Sequence, residues 1–201
     1  QTDGCIRNEE TNIEVCFSFG LLKEEQLRKV REAGATRAHC NLETSRRYFP
    51  EICTTHTYDQ KIETLKAAVA AGLSICSGGI MGLGETLKDR VDMALTAKEL
   101  GVKSVPVNFL NPIPGTPYED NKPLTDEEAR QCVAVFRFII PDASIRLAGG
   151  RGLLDDKGKE CFQSGANAAI SGDMLTTAGI TVQKDMEMLK DLGYKPQLWE
   201  D

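Results

Sequence analysis

A few positions in this 201-residue chain carry side chains able to do more than pack. In chain order they are Cys16, the run His39-Cys40-Asn41-Leu42-Glu43, then Cys76, Asn108 and Arg146. Thiolates are the preferred ligands of iron–sulfur clusters. Cysteines this far apart cannot form the compact Cys-x-x-Cys knuckle of a zinc ribbon, but converging strand ends could bring them around one cluster. Each residue also has a plainer reading when taken alone. A cysteine in an apolar strand is often a small buried hydrophobe, and Asn41 or Asn108 could cap a strand or form a turn. Cys132 and Cys161 lie on helical stripes and read as core; Cys5 and Cys53 have no periodic context. Residues 78–85 (GGIMGLGE) lack the Lys-Ser/Thr of a phosphate loop, and Glu85 places negative charge where a phosphate would sit. They read as a backbone approaching a flat ligand closely. His56 and Arg151 read as solvent-facing.

The elements that must position these residues alternate regularly. Strands are predicted over 13–17, 37–41, 73–77, 104–109, 144–147 and 168–170. Helices are predicted over 23–33, 58–71, 85–100, 126–140, 157–163 and 182–192. Apolar stripes such as Ile62, Leu65, Ala68 and Val69 support the helices. So do the Thr125/Glu128 capping box and the glycines at 34, 72, 101 and 193. Six successive strand–helix units imply a parallel sheet with right-handed crossovers, either an incomplete β/α barrel or an open doubly wound sheet. In a barrel, Cys16, Asn41, Cys76, Asn108, Arg146 and Ile170 mark C-terminal strand ends, where such folds place their chemistry. No linker or second domain is visible, so residues 1–201 are read as one domain.

Composition narrows the function classes. A formal net charge of −6 argues against nucleic-acid or anionic-membrane partners. The apolar runs are short, and residues 1–20 show no secretory pattern. Seven cysteines, an odd number scattered through regular elements, fit a reducing cytoplasmic compartment.

Several stretches together resemble the biotin synthase family. They are Asn41-Leu42-Glu43-Thr44-Ser45, Ile52-Cys53-Thr54-Thr55-His56-Thr57-Tyr58 and Cys76-Ser77-Gly78-Gly79-Ile80-Met81-Gly82-Leu83-Gly84-Glu85-Thr86. Collinear with them are Ser104-Val105-Pro106-Val107-Asn108, Gly115-Thr116-Pro117, Ile145-Arg146-Leu147-Ala148-Gly149-Gly150-Arg151 and Cys161-Phe162-Gln163-Ser164-Gly165-Ala166-Asn167-Ala168. The resemblance implies a radical S-adenosylmethionine enzyme whose TIM-type barrel is represented here by strands three to eight. It implies a 4Fe–4S cluster, held outside this chain, that cleaves S-adenosylmethionine to a 5′-deoxyadenosyl radical. It further implies an auxiliary cluster that supplies sulfur to dethiobiotin. Cys16, Cys76 and Arg146 match the auxiliary ligands, with a further cysteine expected from a missing strand. Asn41 and Glu43 match contacts to the S-adenosylmethionine ribose, and Ile80 matches packing on its adenine. His39 and Asn108 match contacts to the substrate's ureido ring. A flavodoxin or ferredoxin electron donor and a homodimer are implied as well. Residues 111–123 read as a partial cover of the barrel mouth or as a stiff connector.

The chain departs from the pattern at Arg37 (Tyr in the family), His39 (Asn), Cys40 (His) and Glu43 (often Asp). Cys40 becomes a candidate fourth thiolate, converting a two-iron auxiliary cluster to a four-iron one. This requires a strand-end bulge, because strict alternation turns Cys40 toward the helices. The rival readings are another radical S-adenosylmethionine barrel, of the hydrogenase-maturase or methylornithine-synthase type, and a non-catalytic cluster-binding fragment. The unpaired edges of a six-strand arc favour self-association. No Cys-x3-Cys-x2-Cys occurs among the seven cysteines. The chain alone, given reductant, iron and sulfide, is therefore expected to release no 5′-deoxyadenosine from S-adenosylmethionine; chromatographic detection above background would contradict this.

Overall fold

The computed structural model describes residues 14–173 and 179–197. Cys5 and Ile13, the start of the first predicted strand, lie outside them. All the strands run parallel in one sheet: β1 (Cys16–Phe17), β2 (Arg37–His39), β3 (Ser74–Cys76), β4 (Gly79–Met81), β5 (Ser104–Phe109), β6 (Ser144–Leu147) and β7 (Ala168–Ala169). The order is β1-β2-β3-β5-β6-β7, with β4 also on β5. Between them run α1 (Glu24–Glu32), α2 (Phe49–Ile52), α3 (Tyr58–Ala70), α4 (Leu87–Glu99), α5 (Asp126–Ile139), α6 (Lys159–Gln163) and α7 (Val182–Asp191). This is the incomplete β/α barrel of six successive units, and the helix limits fall within two residues of the predicted ones. The last strand ends at Ala169 rather than Ile170.

The extra strand is one strand broken in two. Cys76 pairs with Ser104, and Gly79 pairs with Val107, so β3 and β4 keep a single register along β5. On the other side the register slips. His39 lies opposite Cys76, but Glu43 bridges Gly79, so the chain after β2 advances four residues while its neighbour advances three. The extra residue is a bulge of the parallel ladder. It is absorbed at Glu43, whose φ is 69°, a left-handed backbone that costs a non-glycine residue energy.

Helix starts follow from side-chain caps. Thr57, Thr86 and Thr125 each accept a hydrogen bond from the backbone N–H three residues on, and Gln60, Asp89 and Glu128 return the bond. The inner faces of these helices pack on the outer sheet face, where Ala38, Ile75, Val105, Val107, Ile145 and Leu147 are buried. Cys132 and Cys161 belong to this core as expected, and burial pushes the Cys161 thiol up to about 12.

Two ties hold the layers in place. Asp89 caps α4, takes the Ser45 hydroxyl at 2.6 Å and pairs with both arms of the Arg47 guanidinium. Its carboxyl is held well below the usual range, by Arg47 first, against the opposing effect of burial. Arg151, expected in solvent, is instead 2% exposed. It donates to both carboxylate oxygens of Asp185 at 2.8 and 2.7 Å, tying α7 to the barrel. Ser171 reinforces the tie at 2.6 Å. A buried bidentate pair of this kind is costly to break from one side.

Two of the glycines in residues 78–85 are required by the close approach of neighbouring strands. A Cβ on Gly78 would lie 1.9 Å from the Pro106 carbonyl oxygen, and one on Gly79 would lie 2.3 Å from that of Glu43. Gly78→Ala should therefore destabilise the chain by about 1–3 kcal/mol. Gly152→Ala, with nothing within 4 Å of its Cβ, should be close to neutral. Urea unfolding of both variants checks the contrast, and equal midpoints would contradict it.

Candidate functional site

Register decides which side chains share the inner face. The ladder pairs Cys16 with Arg37 and Arg37 with Ser74. One row further along, His39, Cys76, Ser104 and Ser144 lie side by side. Next comes Arg146 between Pro106 and Ala168, and nearest the mouth Ile80 beside Asn108. Side chains paired across a parallel ladder point the same way. These rows therefore form the lining, opposite to the apolar outer face.

The sheet is rolled around this lining. Cys16 and Arg146 stand four strand spacings apart, about 19 Å in a flat sheet. Yet the Arg146 charge acts on the Cys16 thiol, as do Cys76 and Arg37. Burial and then the neighbouring Cys76 push the Cys16 thiol up, while Arg37 and Arg146 oppose them. Polar lining groups are paired with one another, as burial requires. Arg37 Nε donates to Ser74 Oγ at 3.1 Å, and Arg146 donates to Ser104 Oγ. His39 Nδ1 lies 3.3 Å from Cys76 Sγ. Burial, followed by the Arg146 and Lys61 charges, holds the His39 imidazole below its ordinary pKa.

Cys76 is 1% exposed but stands outside the apolar core cluster. Cys40 is the reverse. It is buried within that cluster together with Ala38 and Leu42, its alternate neighbours, and its N–H continues the ladder to the Cys76 carbonyl at 3.1 Å. The pleat is intact at Cys40 because the bulge is taken up later, at Glu43. Cys40 therefore faces the helices and is not a fourth thiolate of the lining. Among the described residues no three His, Cys, Asp or Glu side chains form a metal site. Two thiols and an arginine share this lining, and thiolates are of the chemical type that ligates an iron–sulfur cluster.

The rim is a separate, amide-rich group. Asn41 Oδ1 accepts the Gly78 N–H at 3.0 Å. Burial pushes the Glu43 carboxyl up, opposed by Lys61 and Asn41. Glu43 also clamps the broken strand, its N–H donating to Gly78 O and its carbonyl accepting from Ile80. Asn108 Nδ2 donates to Gly79 O at 3.1 Å, and Asn108 Oδ1 accepts from Gly149 N at 2.9 Å. The structural reading of both asparagines is therefore realised. Each amide still has a second N–H and a second lone pair for a ligand. Residues 111–123 lie along this mouth, with Asn121 Nδ2 donating to Gly82 O at 2.9 Å.

Three features were missed in the sequence. Lys61 reaches His39, Cys40, Glu43 and Cys53 electrostatically. A cation one turn into a helix opposes the dipole, which is the signal that could have singled it out. Ser104 and Ser74 anchor the two lining arginines, and alternation along their strands would have placed them inward. Third, His56 packs edge-on to Phe49 with Cys53 Sγ at 3.4 Å, rather than facing solvent.

Comparison with known proteins adds the following. Residues 4–97 match the Radical SAM superfamily, and residues 106–195 match the Biotin and Thiamin Synthesis associated domain. The chain is 59% identical over 194 residues to a biotin synthase of Brachyspira hyodysenteriae, covering 96% of this chain and 58% of that protein. It is 62% identical over 186 residues to biotin synthase 2 of Corynebacterium diphtheriae, covering 92% and 56%. The chain thus spans somewhat over half the length of these relatives. The crystal structure of methylornithine synthase superposes with a TM-score of 0.78 at 20% identity, covering 94% of this chain and 60% of that one. A maturase of the [FeFe]-hydrogenase does so at 0.76 and 18%, covering 93% and 45%. At such identities these two show the barrel fold alone. No described helix is long and apolar enough to cross a membrane.

The thiols should separate by reactivity, since the thiolate is the nucleophile. Burial would raise Cys53, but hydrogen bonds from Thr55 and His56 and the Lys61 charge bring it below the ordinary value. Cys16 is the more exposed of the two but is shifted upward. Under native conditions at pH 8, iodoacetamide should label Cys53 before Cys16, with the gap closing as pH rises. Peptide mass spectrometry reads the order, and faster labelling of Cys16 at pH 8 would contradict it.

Proposed function

Because this chain belongs to the biotin synthase family within the radical SAM superfamily, we propose that it forms the sulfur-inserting side of a biotin synthase barrel. The observation that carries this reading is the layered lining. Thiols and arginines occupy the rows farther from the mouth, with Cys76 buried and Cys16 exposed on the edge strand, amides and one carboxylate lie at the rim, and the outer sheet face is apolar. In this reading Cys16, Cys76 and Arg146 hold an auxiliary iron–sulfur cluster, and the packing of Cys40 toward the helices supports the two-iron type. Asn41 and Glu43 hold the S-adenosylmethionine ribose with Ile80 against the adenine, and Asn108 and His39 face the dethiobiotin ureido ring. When bound, these groups supply the sulfur atom and the hydrogen-abstracting radical, the latter with a 4Fe–4S cluster held outside this chain.

The chain's own residues prepare the site. Cys16 must lose a proton that burial retains, and Arg37 and Arg146 supply the positive charge that favours the thiolate. Ser104 fixes the Arg146 guanidinium, so the arginine presents its remaining N–H groups without a search for orientation. Asn41, fixed by the Gly78 N–H, and the Glu43 carboxylate lie on the same short stretch of the rim, a combination of amide and acceptor oxygens suited to vicinal hydroxyls. The buried outer face and the 111–123 segment limit water, which a radical reaction requires. Dethiobiotin as substrate, a flavodoxin or ferredoxin as electron donor, a homodimer, a single partial-barrel domain over 1–201 and a cytoplasmic location complete the reading. These rest on the family.

Asn108→Ala in the complete protein tests the substrate assignment. A site built to hydrogen-bond a ureido group loses about 1–3 kcal/mol with one partner gone, roughly fivefold to 150-fold in affinity. Calorimetric titration of dethiobiotin reads it. Thermal melting alongside separates that loss from the structural role of Asn108, and unchanged affinity would remove Asn108 from the substrate site.

A further inference from the structure

His39 and Cys76 are directly opposed in the β2–β3 ladder, and a backbone bond from Cys40 N to Cys76 O fixes the pair on one side. Neither side chain has to leave its strand for the ring nitrogen to reach the sulfur. The contact is made by Nδ1, at 3.3 Å. On the cluster reading above, on which this step rests, Cys76 is a thiolate and offers lone pairs only. A ring nitrogen presenting its own lone pair at that distance would be repelled, so Nδ1 must carry the hydrogen. From this geometry we infer that His39 is a positioning residue of the auxiliary cluster. It donates Nδ1–H to the Cys76 thiolate and thereby raises the reduction potential of the metal that the thiolate holds.

The physical basis is general. Hydrogen bonds to ligating sulfur draw electron density off the thiolate, stabilise the reduced cluster and set its potential. The effect is larger where water cannot compete, and Cys76 is buried. The neighbouring polar lining groups already have partners. Arg146 is bound to Ser104 and Arg37 to Ser74, and Cys16 is not paired with an imidazole among the described residues. The two thiolates are thus made unequal, with Cys76 the weaker electron donor. This places His39 against the metal site, whereas its resemblance to the family pattern had assigned it to the substrate alone.

The experiment uses the complete protein, reconstituted anaerobically, with wild type, His39→Leu and His39→Asn compared. Leu removes the donor and Asn keeps an amide N–H on a shorter arm. The auxiliary cluster should assemble in all three, with its midpoint potential moving negative in His39→Leu and less so in His39→Asn. On wild type alone, exchange into D2O should shift the iron–thiolate stretch in the resonance Raman spectrum, so the inference can fail even if neither variant folds. Electron–nuclear double resonance on 15N-histidine protein should show weak nitrogen coupling at the reduced cluster. An unchanged potential in His39→Leu, or no deuterium effect in wild type, would overturn the inference while leaving the cluster reading intact. Strong nitrogen coupling, or a folded His39→Leu lacking auxiliary iron, would make His39 a ligand and overturn it equally. A wild type without auxiliary iron would overturn both readings.

Discussion

The parallel register around Cys76 is the constraint on which the rest of this structure depends. It sets His39, Cys76, Ser104 and Ser144 in one row and turns their neighbours Ala38, Ile75, Val105 and Ile145 to the helices. A one-residue slip of any strand would exchange the two faces. It would bury arginines against helices and strip the lining of its thiols. The apolar outer face makes such a slip expensive, so hydrophobic burial enforces the placement of polar groups that contribute little to burial themselves. The arginines and the imidazole are tolerated inside because each is bonded to a neighbour in the lining, Arg37 to Ser74, Arg146 to Ser104 and His39 to Cys76.

One local exception to that register shapes the mouth. The extra residue between His39 and Glu43 lets the rim carboxylate and Asn41 reach Gly78 and Gly79 while the deeper rows stay aligned. The conformational cost sits on Glu43, and its N–H and carbonyl, both bonded to the broken strand, hold it there. On the reading proposed above, strain and ribose contact coincide at this residue, a common arrangement where surrounding structure over-determines a backbone.

The sequence made the periodic features plain and hid the tertiary ones. Strand order and helix limits were readable because alternation and threonine caps are local. So was the lining membership of Cys16, Cys76, Asn108 and Arg146, given parallel strands of known phase. Strand lengths were not: β1 to β3 are shorter than predicted, β2 ending at His39 rather than Asn41. The Cys40 question turned on where a bulge falls, which depends on pairing with a distant strand, and the pattern of residues 37–43 cannot specify that alone. Arg151 looked solvated because its partner Asp185 lies 34 positions away on another element. The glycines of 78–85 suggested close backbone approach, and at Gly78 and Gly79 the carbonyls of Pro106 and Glu43 make it. Both belong to distant segments, which the local pattern does not name.

Asn108 joins Gly79 on one side to Gly149 on the other, so the same amide that lines the cavity also pins two segments of its wall. On the substrate reading proposed above, any replacement of Asn108 that retunes recognition also loosens the frame. Retuning without that loss falls to neighbours whose side chains carry no such bond, among them Ile80, which shares Asn108's row. One corner of the mouth is thus pinned and the next adjustable, an asymmetry set by two hydrogen bonds.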